Sequence, residues 1–243
     1  MQNRYVGDVG DFGKYGLLRA LLKSSQLKLG VVWCLVPDEQ HTNDGKHTAY
    51  LKPNKKREYR GCDEKLYDRL KDVFNKKSRN VRVIEQDGVI FPSATFYSAN
   101  IKETERGQWI SQAILKTASC DLIFLDPDNG IALEGTRAYH SSSPKHVFLE
   151  ELNQFFDTRG RSLVVYHHLC RHGTHEEQIK KFAAEILKRL KIEPISLRFR
   201  RGTSRVFYVI PAPHHREELA AKVKGLLGGP WNQHFTKSES LGR

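Results

Sequence analysis

The chain has 243 residues, 40 of them Lys or Arg against 28 Asp or Glu, for a formal charge of +12. At 39% hydrophobic residues it can bury one sizeable α/β core, but no apolar run approaches the ~20 residues of a membrane span, and the opening MQNRYVGDVGD lacks the apolar stretch of a signal peptide. Cys34, Cys62, Cys120 and Cys170 form no CxxC pair, so they read as reduced thiols of a cytoplasmic protein, not as a disulfide frame or zinc site. Surplus positive charge favours encounter with polyanions: nucleic acid, RNA or DNA, is the expected partner, and a membrane is not.

In chain order, DFGKYGLLRALLKSS carries Phe12, Tyr15, Leu18, Leu21 and Leu22 at helical spacing, with Asp11 as the expected N-cap. LGVVWCLV (29–36) reads as a buried strand. The polar stretch that follows, PDEQHTNDGKHTAYLKPNKKREYRGC, is too long for a simple connector, and segment 38–61 is expected to be a functional loop. LYDRLKDVFNKK reads as a helix, NVRVIEQD as a strand, GQWISQAILKTA as a helix and DLIFLDP as a strand. PKHVFLEELNQFFDTR is an expected helix, SLVVYHH a strand and HEEQIKKFAAEILKRLK a helix. EPISLRFRR and SRVFYVIPA, separated by little more than Gly202-Thr203, suit a hairpin. HREELAAKVKGLLGG is the last expected helix, closed by Gly228-Gly229. The expected organisation is a single α/β domain over 1–229 and a loose tail over 230–243.

Strand–helix alternation of this kind predicts a mostly parallel sheet covered on both faces. A helix ahead of the first strand and a C-terminal antiparallel hairpin make this a Rossmann-like layout, similar to the plan of class I S-adenosylmethionine-dependent methyltransferases. In such sheets ligands bind beyond the carboxyl ends of the strands. DLIFLDPDNG is therefore the most telling stretch: a turn needs Pro, Asn and Gly, but not two carboxylates directly behind Ile-Phe-Leu. Asp126, Pro127, Asp128 and Asn129 are accordingly the expected catalytic residues.

Other acidic residues share the expected edge: Asp8 and Asp11 before the first helix, Asp38, Glu39 and Asp44 after the first strand, and Asp87 after the middle one. Two basic runs stand out. KPNKKREYR supplies Lys52, Lys55, Lys56, Arg57 and Arg60, and LRFRRGTSR supplies Arg198, Arg200 and Arg201. Tyr59 and Phe199, interleaved with that charge, suggest a groove that contacts phosphates and stacks bases. YHHLCRHGTH gathers His167, His168, His172 and His175, read as loop or phosphate-contacting histidines. Tyr166 and His167 are expected at the mouth of the sheet edge, and Trp33 and Trp109 in the core.

The GDFGKYGLL helix, the first strand, the LYDRLKDVFNKKSRNVRVIEQDG unit and FLDPDNG together resemble a distant, edited version of the ribosomal RNA adenine-N6 methyltransferases of the large subunit. Those proteins have an Asn/Asp-x-x-Lys-aromatic helix start, Asp-Gly after a middle strand and Asp-Pro-Pro-Tyr after a later one. The GDxxDFxKYxLLR opening also resembles that of bacterial proteins with no assigned function. The resemblance implies S-adenosylmethionine as cofactor, reached by Asp11 and Lys14 from the first helix, by Asp38 and Asp44 after the first strand, and by Asp87. It also implies Asp126 as acceptor for the amine of an extruded base. Here Asp128 and Asn129 replace the second proline and the aromatic, and VPDEQHTNDG stands where the family has a glycine-rich turn.

An alternative reading starts from repulsion. Carboxylates converging in a basic protein need a cation between them, and Mg²⁺ favours such oxygens. Asp8, Asp11, Asp38, Asp126 and Asp128 would then be ligands in a metal-dependent nuclease or phosphoesterase, aided by Lys14, Lys46 and His47. A third reading is a catalytically inert nucleic-acid-binding domain on the same fold.

Overall fold

In the computed structural model, which describes residues 1–39, 45, 47–76, 79–133, 144–157, 160–171 and 173–239, the centre of the molecule is a seven-stranded sheet. Its order is β2-β1-β3-β6-β8-β7-β9. β2 (Thr95–Tyr97), β1 (Leu29–Trp33), β3 (Leu122–Asp126) and β6 (Ser162–His168) pair in parallel. β8 (Arg205–Ile210) runs antiparallel between β6 and β7 (Ile195–Phe199), and β9 (Phe235–Lys237) is antiparallel to β7. Five strands thus point one way, which makes this a Rossmann-like, mostly parallel α/β sheet. β4 (Gly130–Ala132) and β5 (His146–Phe148) form a separate parallel pair beside it.

Continuous apolar runs become central strands because both of their faces are covered. Val31, Leu122, Phe124 and Val164 face a core shared with α1 (Val9–Leu22), α3 (Glu64–Asn75) and α8 (Arg216–Gly228). Val32, Ile123, Leu125, Leu163 and Val165 face the other core, shared with α5 (Arg106–Lys116), α6 (Leu149–Asp157) and α7 (His175–Leu190). Among the described residues, no helix is long and apolar enough to cross a membrane.

α1 packs closely against β7 and the C-terminal 3₁₀ turn, and its sequence explains why. Gly13 and Gly16 are three residues apart and share a face. A Cβ at Gly13 would sit 2.6 Å from the Phe199 ring, and one at Gly16 would sit 2.1 Å from the Trp231 ring. This close approach lets a mid-helix lysine reach a strand end. α1 starts earlier than expected, because Asp8 and not Asp11 is the N-cap, accepting a hydrogen bond from the Asp11 N–H at 3.0 Å.

Other expectations need correction. NVRVIEQD is not a strand: Val81–Glu85 is a short helix, α4, with Asn80 as its cap. Val81 and Ile84 are both buried, an i, i+3 pair that a strand would place on opposite faces. The strand beside β1 comes instead from the three residues Thr95–Tyr97. PKHVFLEELNQFFDTR divides into β5 and α6, and of segment 38–61 the described part holds 3₁₀ turns at Ala49–Leu51 and Pro53–Lys55 and the short helix α2 (Lys56–Arg60). The described part of the tail, residues 230–239, is not loose either. Pro230–Gln233 forms a 3₁₀ turn with Trp231 buried, and β9 follows directly. Its Trp and Phe supply the apolar surface that docks it.

Candidate functional site

Beyond the carboxyl ends of β1, β3 and β6, and below the first turn of α1, lies a cleft of about 280 Å³. The register explains its floor. Trp33 is paired with Asp126, and Leu125 with Val165, so Asp126 and Tyr166 occupy neighbouring positions at the strand ends, and both line the cleft. Asp126 is therefore a carboxylate set among aromatic rings, only 2% exposed.

Lys14 is what makes that burial tolerable. Its Nζ donates to Asp126 Oδ2 at 2.6 Å and to Asp11 Oδ1 at 3.0 Å. It also lies 5.8 Å from the ring centroids of Tyr15, Trp33 and Tyr166, within cation–π range. Asp11 accepts in addition from the Gly7 N–H at 3.0 Å and the Tyr15 hydroxyl at 2.9 Å. Burial alone would lower the Lys14 pKa, but the Asp11 and Asp126 charges outweigh it and hold the ammonium above its ordinary value. Burial pushes the Asp126 carboxyl up, opposed by Lys14 and by the Met1 amine. Burial lowers that amine, opposed by Asp128 and Asp126. It donates to Cys34 O at 2.8 Å and Asp126 O at 3.2 Å.

The Asp126–Asn129 loop is held from three sides. Gln2 Nε2 donates to Asp128 Oδ2 at 2.7 Å. The Asn129 N–H donates to Lys145 O at 2.8 Å, and Asn129 O accepts from the His168 N–H at 3.1 Å. Gly130 has φ +108, and a Cβ there would meet His167 Nδ1 at 2.4 Å, so glycine is required for this turn. His167 Nδ1 accepts from the Ile131 N–H at 2.9 Å. Burial holds that ring neutral, its pKa down at about 3.

Asp8, Asp11, Lys14 and the loop residues Asp126, Pro127, Asp128 and Asn129 thus line one cleft, with Tyr166 and His47. Asp38 does not line the cleft; it is exposed and accepts from the Arg4 N–H at 3.2 Å. Asp87 does not converge. Because α4 is helical, Asp87 ends no strand; it accepts from Arg69 Nε at 2.8 Å and from the Ile90 N–H at 2.8 Å. Asp44, Lys46 and His172 lie outside the described residues. Sequence reasoning missed Met1, Thr203, Arg171 and Arg205 as lining residues, and Gln2 as a donor to Asp128. Arg205 did carry a signal, since it heads the wholly buried strand RVFYVI.

The two basic runs meet. Arg201 Nη2 pairs with Glu58 at 2.7 Å, tying the β7–β8 turn to α2. Lys52, Lys55, Lys56 and Arg57 are exposed there, and Arg200 also reaches the surface, donating to Asn232 O at 3.1 Å. Arg60 is engaged by Asp68 and Glu64, and Arg198 Nη2 lies 2.6 Å from His175 Nδ1. Tyr59 and Phe199 are not stacking platforms: both are buried, Tyr59 against Phe12 and His234 and Phe199 against Phe235.

The described residues give both implied groups a setting different from the expected one. Past β1, where the methyltransferase resemblance needs a glycine turn, Leu35 bridges to Asn100 and the Val36 N–H donates to Met1 O at 3.0 Å. Met1 Sδ lies 3.7 Å from Lys14 Nζ. Met1 thus stands between the ends of β1 and β3, where the resemblance puts the glycine turn, and no glycine cradle is present there among the described residues. As for Mg²⁺, the positive charge between the carboxylates comes from Lys14 and the Met1 amine. Among the described residues no group of three or more His, Cys, Asp or Glu is placed to hold a metal ion.

Fold and cleft define a Rossmann-like α/β protein with a polar pocket at the carboxyl edge of its parallel strands. No family model matches the sequence, and no curated protein matches it. Among solved structures it is similar to protein LPL1258 from Legionella pneumophila, which carries the family label DUF519, with a TM-score of 0.48, 12% identity and coverage of 96% of this chain and 97% of that one. A likeness at that level assigns no function.

Proposed function

We propose that this protein binds nucleic acid along the surface where α2 and the β7–β8 turn meet, and admits a single nucleotide to the adjoining cleft. The observation that carries this reading is the Arg201–Glu58 bridge. It joins two basic segments far apart in sequence into one surface, and the turn it holds continues into Thr203 and Arg205 on the cleft wall. The cleft floor is rich in acceptors, chiefly Asp126 and Asp128, suited to the N–H groups of a base. Tyr166 supplies an aromatic wall beside Asp126, where the resemblance led one to look for it at position 129. No transfer step follows from these residues alone, and saturable heat on titration with S-adenosylmethionine is not expected; its appearance would restore the methyl-transfer reading.

Fluorescence anisotropy with labelled single-stranded RNA and DNA, over a range of salt concentrations, tests the reading. Each phosphate contact contributes about 0.7 to the slope of log K against log salt for a single strand. Substituting Lys52, Lys56 and Arg57 together by Glu is expected to lower that slope by about 2 and to weaken binding to both probes alike. Unchanged affinity in the triple variant would remove this surface from the contact.

A further inference from the structure

The Lys14–carboxylate arrangement leaves three cleft residues unexplained: Arg205, Thr203 and Arg171. Arg205 is only 5% exposed. Its Nε donates to Thr203 O at 3.1 Å and its Nη2 to Thr203 Oγ1 at 2.7 Å. Nη1 has no hydrogen-bond partner among the described residues and sits in a notch over Gly10, where a Cβ would lie 1.5 Å from it. The facing acid is Asp8, whose Oδ1 accepts from the Asp11 N–H; the Arg205 charge opposes the rise that burial imposes on the Asp8 carboxyl, but no ion pair within 4.0 Å joins the two among the described residues. Thr203 Oγ1 already accepts from Arg205, so its own hydrogen is left to donate outward. Arg171, just beyond β6, is exposed on the same rim.

One buried guanidinium held by two hydrogen bonds, a hydroxyl it orients and a second guanidinium at the mouth suit a tetrahedral oxyanion. The acidic floor repels an anion from the deeper cleft, which confines it to this rim. We propose that Arg205, Thr203 and Arg171 form a phosphate subsite, with Gly10 providing the space in which the Arg205 fork stands. The phosphate is that of a free mononucleotide or of a nucleic-acid backbone; only this choice of source rests on the nucleic-acid reading.

Calorimetric titration at low ionic strength with inorganic phosphate tests the subsite directly. Saturable binding is expected, weakened about tenfold or more by Gly10→Ala, which fills the notch without altering charge, and by Arg171→Ala. Circular dichroism checks that the Gly10→Ala helix is intact, and Arg171, being exposed, can be removed without loss of fold. A nucleoside 5′-monophosphate and a dinucleoside phosphate diester then separate the sources: competition by the monoester alone marks a mononucleotide site, and competition by both marks a backbone site. Absence of saturable binding, or equal affinity in intact Gly10→Ala protein, overturns the proposal. Phosphate binding without oligonucleotide binding would retain the subsite and remove the nucleic-acid surface, and the converse would remove the subsite alone.

Discussion

Replacing Lys14 by alanine is expected to destabilise the protein by about 3–5 kcal/mol near pH 7, the usual cost of stripping one partner from a buried ion pair. Two carboxylates share this ammonium, at 2.6 Å and 3.0 Å. Asp126 is 2% exposed and Asp11 1%, so water compensates little for the lost ammonium. The loss should depend on pH with a definite sign. Burial already raises the Asp126 carboxyl, and Lys14 opposes that rise. A carboxyl with a raised folded value contributes stability that is complete below its ordinary pKa of 3.8 and lost as pH climbs through the folded value. Without Lys14 the folded value climbs further, so the deficit of the variant is largest near neutrality and narrows as pH falls towards 4. Lys14, also raised, contributes below its ordinary 10.5 and loses that contribution in strong alkali. Urea denaturation at pH 7 and pH 4 measures this. Coincident midpoints for parent and variant at pH 7 would show that the pair does not hold α1 to β3.

Trp231→Ala is expected to cost a similar amount, about 3–5 kcal/mol for an aromatic removed from a close-packed site. For a chain of this size that is a drop of roughly 6–20 °C in melting temperature. The position is close to the chain end, and Pro, Asn, Gln and Ser nearby suggest solvent. The structure nonetheless sets the Trp231 ring 4.8 Å from Phe12 and 5.9 Å from Phe235, with Gly16 of α1 directly beneath it. Phe12 lies in the first turn of the same helix that carries Lys14. Loss of the indole should therefore loosen α1 at its docking face as well as β9. A melting temperature unchanged by the substitution would mean that residues 230–239 contribute nothing to stability, as their composition suggests.

The two predictions separate two ways in which α1 is held. Lys14 fixes its polar side to a strand end by charge, and Trp231 fixes its glycine side by packing. Both contacts hold the helix over Asp126, which lies 2% exposed. Stability and the shape of the cleft therefore depend on the same few residues.

By itself, the sequence determined the elements whose patterning is long or unambiguous. The apolar runs of β1, β3, β6 and β8, the amphipathic α3 and α7, and the Gly-Thr hairpin turn were all legible, because burial on both faces, helical spacing and turn chemistry each leave a local mark. It also led to the expectation of Asp126–Asn129 at the carboxyl edge, since a parallel sheet sends its strand ends there, together with Asp8, Asp11, Asp38, Asp44 and Asp87; of these, Asp8, Asp11 and Asp126–Asn129 line one cleft. Tertiary structure alone decided the rest. VRVIE alternates well enough for a strand, but Val81 and Ile84 are both buried only when the segment is helical, and this removes Asp87 from the cleft. A five-residue run lacks the repeats needed to distinguish the two periods. The cation among the carboxylates could not be read from spacing either: Lys14 and Asp126 are 112 positions apart, and only the glycine face of α1 brings them within hydrogen-bonding distance. The notch over Gly10 that receives Arg205 arises from that same close approach, which no local pattern encodes.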